Sequence, residues 1–168
     1  MMVLFSKGIR SELSLVPVRS LEHLSLNLYE FRLFNNSEHG AAMPFRNFRL
    51  VPLVAVPYIL GAEMIFFRNR RFFVKLRGRL VGLLILSEET NVLRISSLAV
   101  APEVRRLGIA SWILKSAETM AKGLGEEYLE LSVLKKNFAA RSLYKKYGFS
   151  LKEERKRTLI LAKRVQQG

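Results

Sequence analysis

The spacing of the apolar positions predicts one strand and two helices in the first part of the chain. Apolar and polar side chains alternate over residues 11–19, as they do in a half-buried strand. Ser20 can cap the helix that the next apolar positions predict over residues 21–34, and a polar loop follows at residues 35–40. A second, buried helix is predicted over residues 57–64, because a proline stands at its first position.

From residue 71 onward, short strands separated by turn residues replace the helical pattern. They are predicted at residues 72–76, 80–86 and 92–100, with turns at residues 77–79 and 88–91. Such short connections are typical of hairpins, so we expect these strands to form an antiparallel meander.

The rest of the chain alternates helices and strands. Apolar residues keep the helical period over residues 109–122, and Gly123 and Gly125 are expected to end that helix. A strand at residues 128–134 makes this segment a β-α-β crossover. The last predicted elements are a helix from Asn137 to Tyr147 with Gly148 at its carboxyl end, and one or two closing strands within residues 149–165, the clearest at residues 158–162.

Length and composition predict one packed domain over residues 1–168. Apolar residues make up 49% of the chain and charged residues 25%, a balance that excludes a chain disordered throughout. The chain has no cysteine and only two histidines, so it lacks the usual sets of zinc ligands. We therefore expect no metal site.

Neither a membrane span nor a secretory signal is expected. The most apolar stretch, residues 50–67, is interrupted by two prolines, a glycine and Glu63, and it is shorter than the roughly 20 apolar residues that a span needs. The apolar part of the first residues is too short for a signal peptide. We therefore interpret the protein as cytoplasmic.

The positive charge is concentrated in the second part of the chain. The formal net charge is +14; residues 1–67 carry six basic and five acidic side chains, whereas residues 68–168 carry twenty-two and nine. Such a field attracts polyanions, which include nucleic acids, anionic membrane surfaces, acidic proteins and phosphorylated cofactors. A solvated basic surface that only aids solubility is the alternative.

The segment between the strand at residues 92–100 and the next helix has the composition of a phosphate-binding loop. Pro102 stops the strand ladder, and Gly108 stands where the helix begins. The first backbone N–H groups of a helix have no partner within it, and the helix dipole makes that end positive. An anion can satisfy these donors where no side chain blocks its approach, and Gly108 and Ala110 leave the approach open.

This loop differs from the two commonest nucleotide-binding loops. It contains no Gly-x-Gly-x-x-Gly of a dinucleotide site and no Gly-Lys-Ser/Thr of a nucleotide triphosphate site. A glycine-containing turn with surface arginines is the alternative to a phosphate site, because short motifs also occur by chance.

Several spaced motifs between residues 98 and 149 together resemble the GNAT superfamily of N-acetyltransferases. In chain order they are Val100-Ala101-Pro102, Arg105-Arg106-Leu107-Gly108-Ile109-Ala110, Asn137, Ala140, Leu143-Tyr144 and Gly148-Phe149. The resemblance implies an α/β (α+β) fold whose central, mostly antiparallel mixed sheet has six to seven strands and about four flanking helices. It also implies an enzyme that transfers the acetyl group of acetyl-CoA to a primary amine by direct attack in a ternary complex.

The resemblance also assigns roles to particular residues. The backbone of the phosphate loop would bind the cofactor's pyrophosphate, and the main chain of Leu98 and Val100 would hold its pantetheine and acetyl groups. Asn137 would contact the cofactor, and Tyr144 would lie near its sulfur. The loop residues so implied are Arg105, Arg106, Leu107, Gly108, Ile109 and Ala110.

Tyr144 is the candidate catalytic residue. An amine that attacks a thioester expels a thiolate, and a phenol with a pKa near ~10 can donate a hydrogen bond or a proton to it. The alternative is a core aromatic on the inner face of its helix, beside Phe138 and Tyr147. Asn137 likewise has the alternative of a simple N-cap.

A carboxylate general base is missing from the positions where the resemblance implies one. Those positions hold Ser96 or Ser97 and Ser132. The open alternatives are a water chain through these serines, Glu130 or Glu63 reaching the site, and an amine that arrives deprotonated.

The sequence leaves the acceptor open among a protein N-terminus, a lysine, a polyamine, an aminoglycoside and a small metabolite. The short segment before residues 158–162 predicts an open groove, and the apolar residues 53–67 would form an acceptor wall, a homodimer contact or plain core. Two other functions are considered. One is a CoA-binding protein without catalysis; the other is a basic nucleic-acid-binding module, which is not favoured because neither a recognition helix nor an RNA-binding aromatic pattern is present.

Overall fold

The computed structural model describes residues 9–18, Tyr29 and residues 69–166. These residues form one seven-stranded sheet and two α-helices of more than one turn. The strands are β1 (Leu13–Pro17), β2 (Asn69–Leu76), β3 (Arg79–Glu89), β4 (Val92–Val100), β5 (Tyr128–Leu134), β6 (Ser150–Glu154) and β7 (Thr158–Arg164), and the helices are α1 (Ile109–Gly123) and α2 (Phe138–Lys146). The predicted loop at residues 35–40 and the predicted helices over 21–34, apart from Tyr29, and over 57–64 lie outside the described residues.

The sheet is mixed but mostly antiparallel. Its strand order is β1-β2-β3-β4-β5-β7-β6, and every neighbouring pair is antiparallel except β4 and β5. The antiparallel meander, the β-α-β crossover and the two closing strands are therefore confirmed. So is the fold class that the sequence predicted.

The hairpin between β2 and β3 is one residue shorter than the predicted turn at residues 77–79, because Arg79 already belongs to β3. Leu76 pairs with Arg79, so only Arg77 and Gly78 form the turn. Both have positive φ angles, 51° and 76°, as the central residues of a two-residue hairpin turn require for its twist to match the strands. β2 begins at Asn69, three residues before the predicted start, because its arginines also join the ladder.

Helix α1 packs on one face of the sheet and forms the main core there. Its apolar stripe of Ile109, Ile113, Leu114, Ala117 and Ala121 is buried, and it packs with the inward side chains of the strands. The helix ends one residue later than predicted, since Gly123 is still helical. Gly125, with φ 75°, is the residue that turns the chain out of the helix.

The opposite face of the sheet carries a smaller apolar cluster and several polar side chains. The cluster consists of Phe73, Leu83, Ile85 and Ala101, with Tyr29 packed against it. The polar side chains that are buried in the described part of the chain are Arg71, Ser97 and Glu130.

Candidate functional site

Strands β4 and β5 run together for only four residue pairs and then separate. Pairing extends from Val92 with Tyr128 to Ile95 with Leu131. Beyond that point, residues 97–100 of β4 pair with β3 alone, and residues 132–134 of β5 pair with β7 alone. A wedge-shaped gap, which we call the β4/β5 gap, therefore opens toward the carboxyl ends of both strands.

A β-bulge marks the start of the gap. Ile85 pairs with Ser97 and Leu86 pairs with Ile95, so Ser96 is an extra residue without a partner on β3. An extra residue of this kind bends its strand and increases the local twist. The bulge thus turns the end of β4 away from β5, a feature that no signal in the sequence marks.

The main chain of Leu98 and Val100 faces the β4/β5 gap. The N–H of Ala101 donates to the carbonyl of Val81 over 2.8 Å, which points residue 101 toward β3. The carbonyl of Ala99 also points there, because a Cβ added to Gly82 would lie 2.5 Å from its oxygen. Since polar groups alternate along a strand, those of residues 98 and 100 point the other way.

The loop after β4 is shaped by a short 3-10 turn and two left-handed residues. Pro102–Val104 form the turn, and Arg105 then folds back so that its Nε donates to the carbonyl of Val100 over 3.1 Å. Arg106 and Gly108 have φ angles of 63° and 82°. Left-handed residues placed among ordinary ones turn successive N–H groups toward a common point.

The amino end of α1 offers unpartnered backbone donors to open space. The first bond within the helix runs from the N–H of Trp112 to the carbonyl of Gly108, 3.0 Å, and no side chain caps the helix start. The N–H groups of residues 109–111 therefore have no partner within the helix. A Cβ added to Gly108 would meet no atom within 4 Å, so the residue that precedes these donors borders open space. This arrangement fits a phosphate group.

Helix α2 is tied both to its own loop and to α1. The Oδ1 of Asn137 accepts the N–H of Ala140 over 3.1 Å, so the predicted N-cap is confirmed. The amide nitrogen of Asn137 is left as a donor. At the other end of α2, the hydroxyl of Tyr147 donates to the carbonyl of Ser111 over 2.6 Å and so fixes α2 against the first turn of α1.

Tyr144 lies in the core, and the end of α2 explains its position. The N–H of Phe149 bonds to the carbonyl of Tyr144 and that of Gly148 bonds to Lys145, a helix end that brings the side chains of residues 144 and 149 together. Their rings meet edge to face, with centroids 5.8 Å apart. The hydroxyl of Tyr144 makes no hydrogen bond with the described residues. Burial raises the pKa of Tyr144 to about 12, above the value near 10 expected for a free phenol.

Phe138 is not on the inner face of α2, which corrects the prediction that grouped it with Tyr144 and Tyr147. It is 70% exposed, and the guanidinium carbon of Arg141 lies 5.6 Å from the centre of its ring. Six residues turn a helix by about 600°, so positions 138 and 144 lie roughly 120° apart. The helical period itself, applied to this pair, would have shown the difference.

The candidate bases lie on the face of the sheet opposite α1 or next to the bulge. Ser96 shares a 2.7 Å hydrogen bond with Ser87, Ser132 is exposed, and the buried hydroxyl of Ser97 has no partner among the described residues. Glu130 is not a surface glutamate: it is buried, and both of its oxygens are engaged in ion pairs. Glu63 lies outside the described residues.

The ion pairs of Glu130 use one group on β4, which is next to β5, and one on β6, which lies beyond β7. Lys152 Nζ pairs with its Oε1, and an Arg94 terminal nitrogen lies 3.4 Å from its Oε2. The Glu130 side chain is 2% exposed, whereas those of Lys152 and Arg94 are 54% and 30% exposed. Both lone-pair regions of the carboxylate are thus occupied by cations of the chain itself.

The structure brings most of the predicted site residues to one region. Leu98, Val100, Ile109, Ala110 and Tyr144 share the apolar cluster under α1 and α2. Arg105, Arg106 and Leu107 lie exposed on the loop above it, with Gly108 partly exposed beside them. The described residues contain no group of three acidic or histidine side chains that could hold a metal ion. In the same part of the chain, no helix has the length and hydropathy of a membrane span.

The protein is of the α/β type: two parallel strands separate, and the helix that connects them begins at a glycine without a side-chain cap. Such a helix start fits a phosphate-bearing ligand. The sequence model of the acetyltransferase (GNAT) family matches residues 45–149. The chain belongs to this family, so it is an acyltransferase and acetyl-CoA is its co-substrate. The resemblance seen in the sequence is thereby confirmed.

Solved structures of other family members show the same fold. The PaiA N-acetyltransferase of Thermoplasma acidophilum, in complex with coenzyme A, is 17% identical, with 90% of this chain and 98% of that chain covered and a TM-score of 0.73. The ribosomal-protein-S18-alanine N-acetyltransferase of Escherichia coli is 16% identical, with 93% and 96% covered and a TM-score of 0.69. The spermidine/spermine N-acetyltransferase of Vibrio cholerae is 19% identical, with 92% and 94% covered and a TM-score of 0.66.

Proposed function

We propose that this protein is an N-acetyltransferase that transfers the acetyl group of acetyl-CoA directly to a primary amine while both are bound. Residues 1–168 would act as a single catalytic domain. The observation that carries the proposal is the uncapped start of α1, where free N–H groups meet open space at Gly108. Donors of this kind require an anion or water, and a pyrophosphate satisfies several of them at once.

The same loop supplies the charge that a pyrophosphate needs. The binding residues would be Arg105, Arg106, Leu107, Gly108, Ile109 and Ala110. Arg105 holds the loop against β4 through the carbonyl of Val100 and still presents its other nitrogens outward. Arg106 is exposed at the left-handed bend and adds a second cation.

The β4/β5 gap would hold the pantetheine arm. Leu98 offers both its N–H and its carbonyl to the gap, whereas Val100 offers its N–H, because Arg105 already occupies its carbonyl. An arm that carries amide groups can pair with these positions as a strand would. The side-chain amide nitrogen of Asn137 is a further donor at this edge of the sheet.

Tyr144 would act as the proton donor. When bound, acetyl-CoA supplies a thioester, an activated acyl group whose departing atom is a thiolate sulfur. The Tyr144 hydroxyl makes no hydrogen bond with the described residues, so it is available to donate one. With a pKa of about 12 it stays protonated at every pH at which the enzyme would work.

The proposed acceptor is a primary amine, and the charge of the chain narrows the choice. Two of the similar structures are named for a polyamine acceptor and for a protein alanine acceptor. A net charge of +14 repels free polyamines and attracts amines that stand beside acidic groups. We therefore place peptides with acidic residues near the amine ahead of polyamines.

The test is the release of free CoA from acetyl-CoA in the presence of four acceptor pools. These are acidic peptides with a free N-terminus, basic peptides with a free N-terminus, lysine-containing peptides with a blocked N-terminus, and polyamines. The wild type is expected to turn over at least the first pool. A chain that binds CoA tightly and turns over none of them would be a binding protein without catalysis.

A Tyr144→Phe variant tests the proton donor. We expect kcat to fall about a hundredfold, which is the lower range for loss of a general acid, while the affinity for CoA stays within about twofold. Tyr128→Phe is the matched control, because that tyrosine is partly exposed on β5. Full activity in Tyr144→Phe would remove Tyr144 from the mechanism.

A further inference from the structure

Tyr147 stands at the carboxyl end of α2 and connects this helix to the start of α1. Its hydroxyl donates to the carbonyl of Ser111 over 2.6 Å, a little less than the commonest O–H···O distance of about 2.7–2.8 Å. Ser111 belongs to the first turn of α1. The bond therefore ends in the turn whose free N–H groups are assigned to the pyrophosphate under the proposed function.

The ring of Tyr147 is held in place by contacts with β7, α1 and the core. Lys163 Nζ, on β7, lies 5.9 Å from the ring centre, a distance at which a cation is attracted to an aromatic face. The same Nζ pairs with Glu118 of α1 over 2.8 Å, and both side chains of this ion pair are only 21% exposed. The ring also packs against the main apolar cluster. The hydroxyl is thus aimed at Ser111 by a ring with little freedom to move.

The peptide units of the first turn of α1 continue this hydrogen bond toward the phosphate loop. Each peptide unit joins the carbonyl of one residue to the N–H of the next in one rigid plane. The carbonyl of Ser111 shares its unit with the N–H of Trp112, which donates to the carbonyl of Gly108 over 3.0 Å. That carbonyl in turn shares its unit with the N–H of Ile109. A chain of hydrogen bonds therefore begins at the hydroxyl of Tyr147 and ends at the N–H of Ile109.

The last donor of this chain is one of the free groups at the start of α1. The N–H of Ile109 has no partner within the helix, and no side chain caps it. Hydrogen bonds in series polarise one another, so an N–H donates more strongly when the carbonyl of its own peptide unit accepts a bond. The hydroxyl of Tyr147 therefore strengthens, through two peptide units, a donor that faces the proposed phosphate position.

We propose that Tyr147 is a positioning residue for the co-substrate. It acts without touching the ligand: its hydroxyl fixes and polarises the first turn of α1, so that the N–H of Ile109 binds the pyrophosphate more tightly. This assignment rests on the proposed function. Because Tyr144 lies on the same helix three residues earlier, the bond to Ser111 also fixes the proposed proton donor relative to the pyrophosphate.

The first test removes the hydroxyl and keeps the ring. Tyr147→Phe is titrated calorimetrically with CoA and with pantetheine, which carries no phosphate. We expect the affinity for CoA to fall about threefold and that for pantetheine to stay unchanged, because only CoA uses the polarised donor. Tyr128→Phe, which removes a partly exposed hydroxyl on β5, is the matched control and should change neither affinity. The proposal is wrong if Tyr147→Phe binds CoA as the wild type does, or if both ligands weaken equally, as a simple loss of packing would cause.

The second test uses the wild type, so it holds even if the variant fails to fold. Tyrosine is isotopically labelled at Cζ, the carbon that bears the hydroxyl, and the protein is titrated with inorganic pyrophosphate in an NMR experiment. An anion that accepts from Ile109 should polarise the chain from its other end, so the Cζ signal of Tyr147 should shift while that of Tyr128 stays. Bound pyrophosphate without a shift at Tyr147 would contradict the proposal. A wild type that binds neither CoA nor pyrophosphate would instead contradict the proposed function itself.

Discussion

At the scale of single residues, the core position of Tyr144 is compatible with its proposed role as the proton donor. Its ring is buried against Phe149, and the same burial that stabilises the ring keeps its hydroxyl protonated. The two interpretations that the sequence left open are therefore compatible. The Tyr144 hydroxyl has no hydrogen-bond partner among the described residues, so it can donate to a ligand.

The pKa of Tyr144 predicts a loss of stability at high pH. Since its pKa in the folded state is about 12 and that of a free phenol is near 10, its contribution is complete below about pH 10 and is lost as the pH rises toward 12. The full shift corresponds to about 2 to 3 kcal/mol. Denaturant unfolding at about pH 9 and about pH 11.5 measures it. The wild type should lose more stability between the two than Tyr144→Phe; equal losses would contradict the raised pKa.

Glu130 predicts a second effect on stability. Replacing it with Gln removes the negative charge that Lys152 and Arg94 share, and we expect the free energy of unfolding to fall by about 2 kcal/mol, because both partners are partly exposed and regain water. The control is Glu154→Gln, whose pair with Lys135 is on the surface and should give no measurable change. Urea unfolding of both variants decides it. Equal stabilities would mean that the buried ion pairs contribute nothing.

Residue roles were predicted best where the backbone alone defines them. Asn137 as an N-cap and Gly108 at the start of a helix were both predicted from local sequence, and both are found. The burial of Glu130 could not be predicted, because the alternation along a strand gives its two faces but does not tell which face the rest of the protein covers. The contact of Arg141 with the ring of Phe138 was not predicted, although residues three positions apart are neighbours on the surface of a helix.

At the scale of elements, the start of α1 is the place where local structure favours the proposed phosphate site. Pro102 ends β4, the loop bends twice through left-handed residues, and the helix begins without a side-chain cap. An uncapped helix start is less stable than a capped one by roughly 1 kcal/mol. The first turn of α1 is therefore less stable than a capped turn, and a bound anion would stabilise it.

Two glycines that flank α1 allow an effect on stability to be distinguished from an effect on CoA binding. Gly108 and Gly125 both have positive φ, and an added Cβ would meet no atom at either one. Alanine at each position should lower the free energy of unfolding by about 1 kcal/mol. Only Gly108→Ala should also weaken CoA, by about tenfold, because its methyl group enters the approach to the helix donors. Titration of both variants is the measurement, and equal affinities would place the phosphate elsewhere.

Elements with a strong alternating pattern were predicted exactly. The bounds of β4 and β5 match the predicted residues 92–100 and 128–134, since each has a buried face and a turn at both ends. The bulge at Ser96 was not predicted, because one additional residue leaves no mark in composition. The resemblance assigned Leu98 and Val100 to the pantetheine arm, but no residue pattern predicted the separation of β4 from β5 that begins at the bulge.

At the scale of the whole molecule, the net charge of +14 sets the long-range attraction for ligands. Most of it stands in residues 68–168, the part that carries the phosphate loop and α2. The charge does not fix the fold, and by itself it would serve a nucleic acid as well as a cofactor. What favours the cofactor is the uncapped, glycine-containing start of α1, which lies in the same part of the chain as this charge.

This field predicts a salt-dependent affinity for CoA. The dissociation constant should rise several-fold between about 50 and about 500 mM NaCl, because screening shortens the reach of the exposed charges. Pantetheine, which has no phosphate, is the control ligand, and its weaker binding should not change. Titration of both ligands at the two salt concentrations tests this. A CoA affinity independent of salt would mean that backbone donors alone hold the diphosphate.

The β4/β5 gap has a consequence for the chain before any substrate arrives. β1 to β4 form one hydrogen-bonded block and β5 to β7 form another. In the described part of the chain, four residue pairs of β4 and β5, the ion pair of Arg94 with Glu130 and the packing of α1 join the two. We expect the native sheet to open locally at the β4/β5 gap first, so that the amide hydrogens of Leu98 and Val100 exchange with water. A pantetheine arm in the β4/β5 gap would act as a temporary eighth strand. The sheet would then be continuous only while the cofactor is bound.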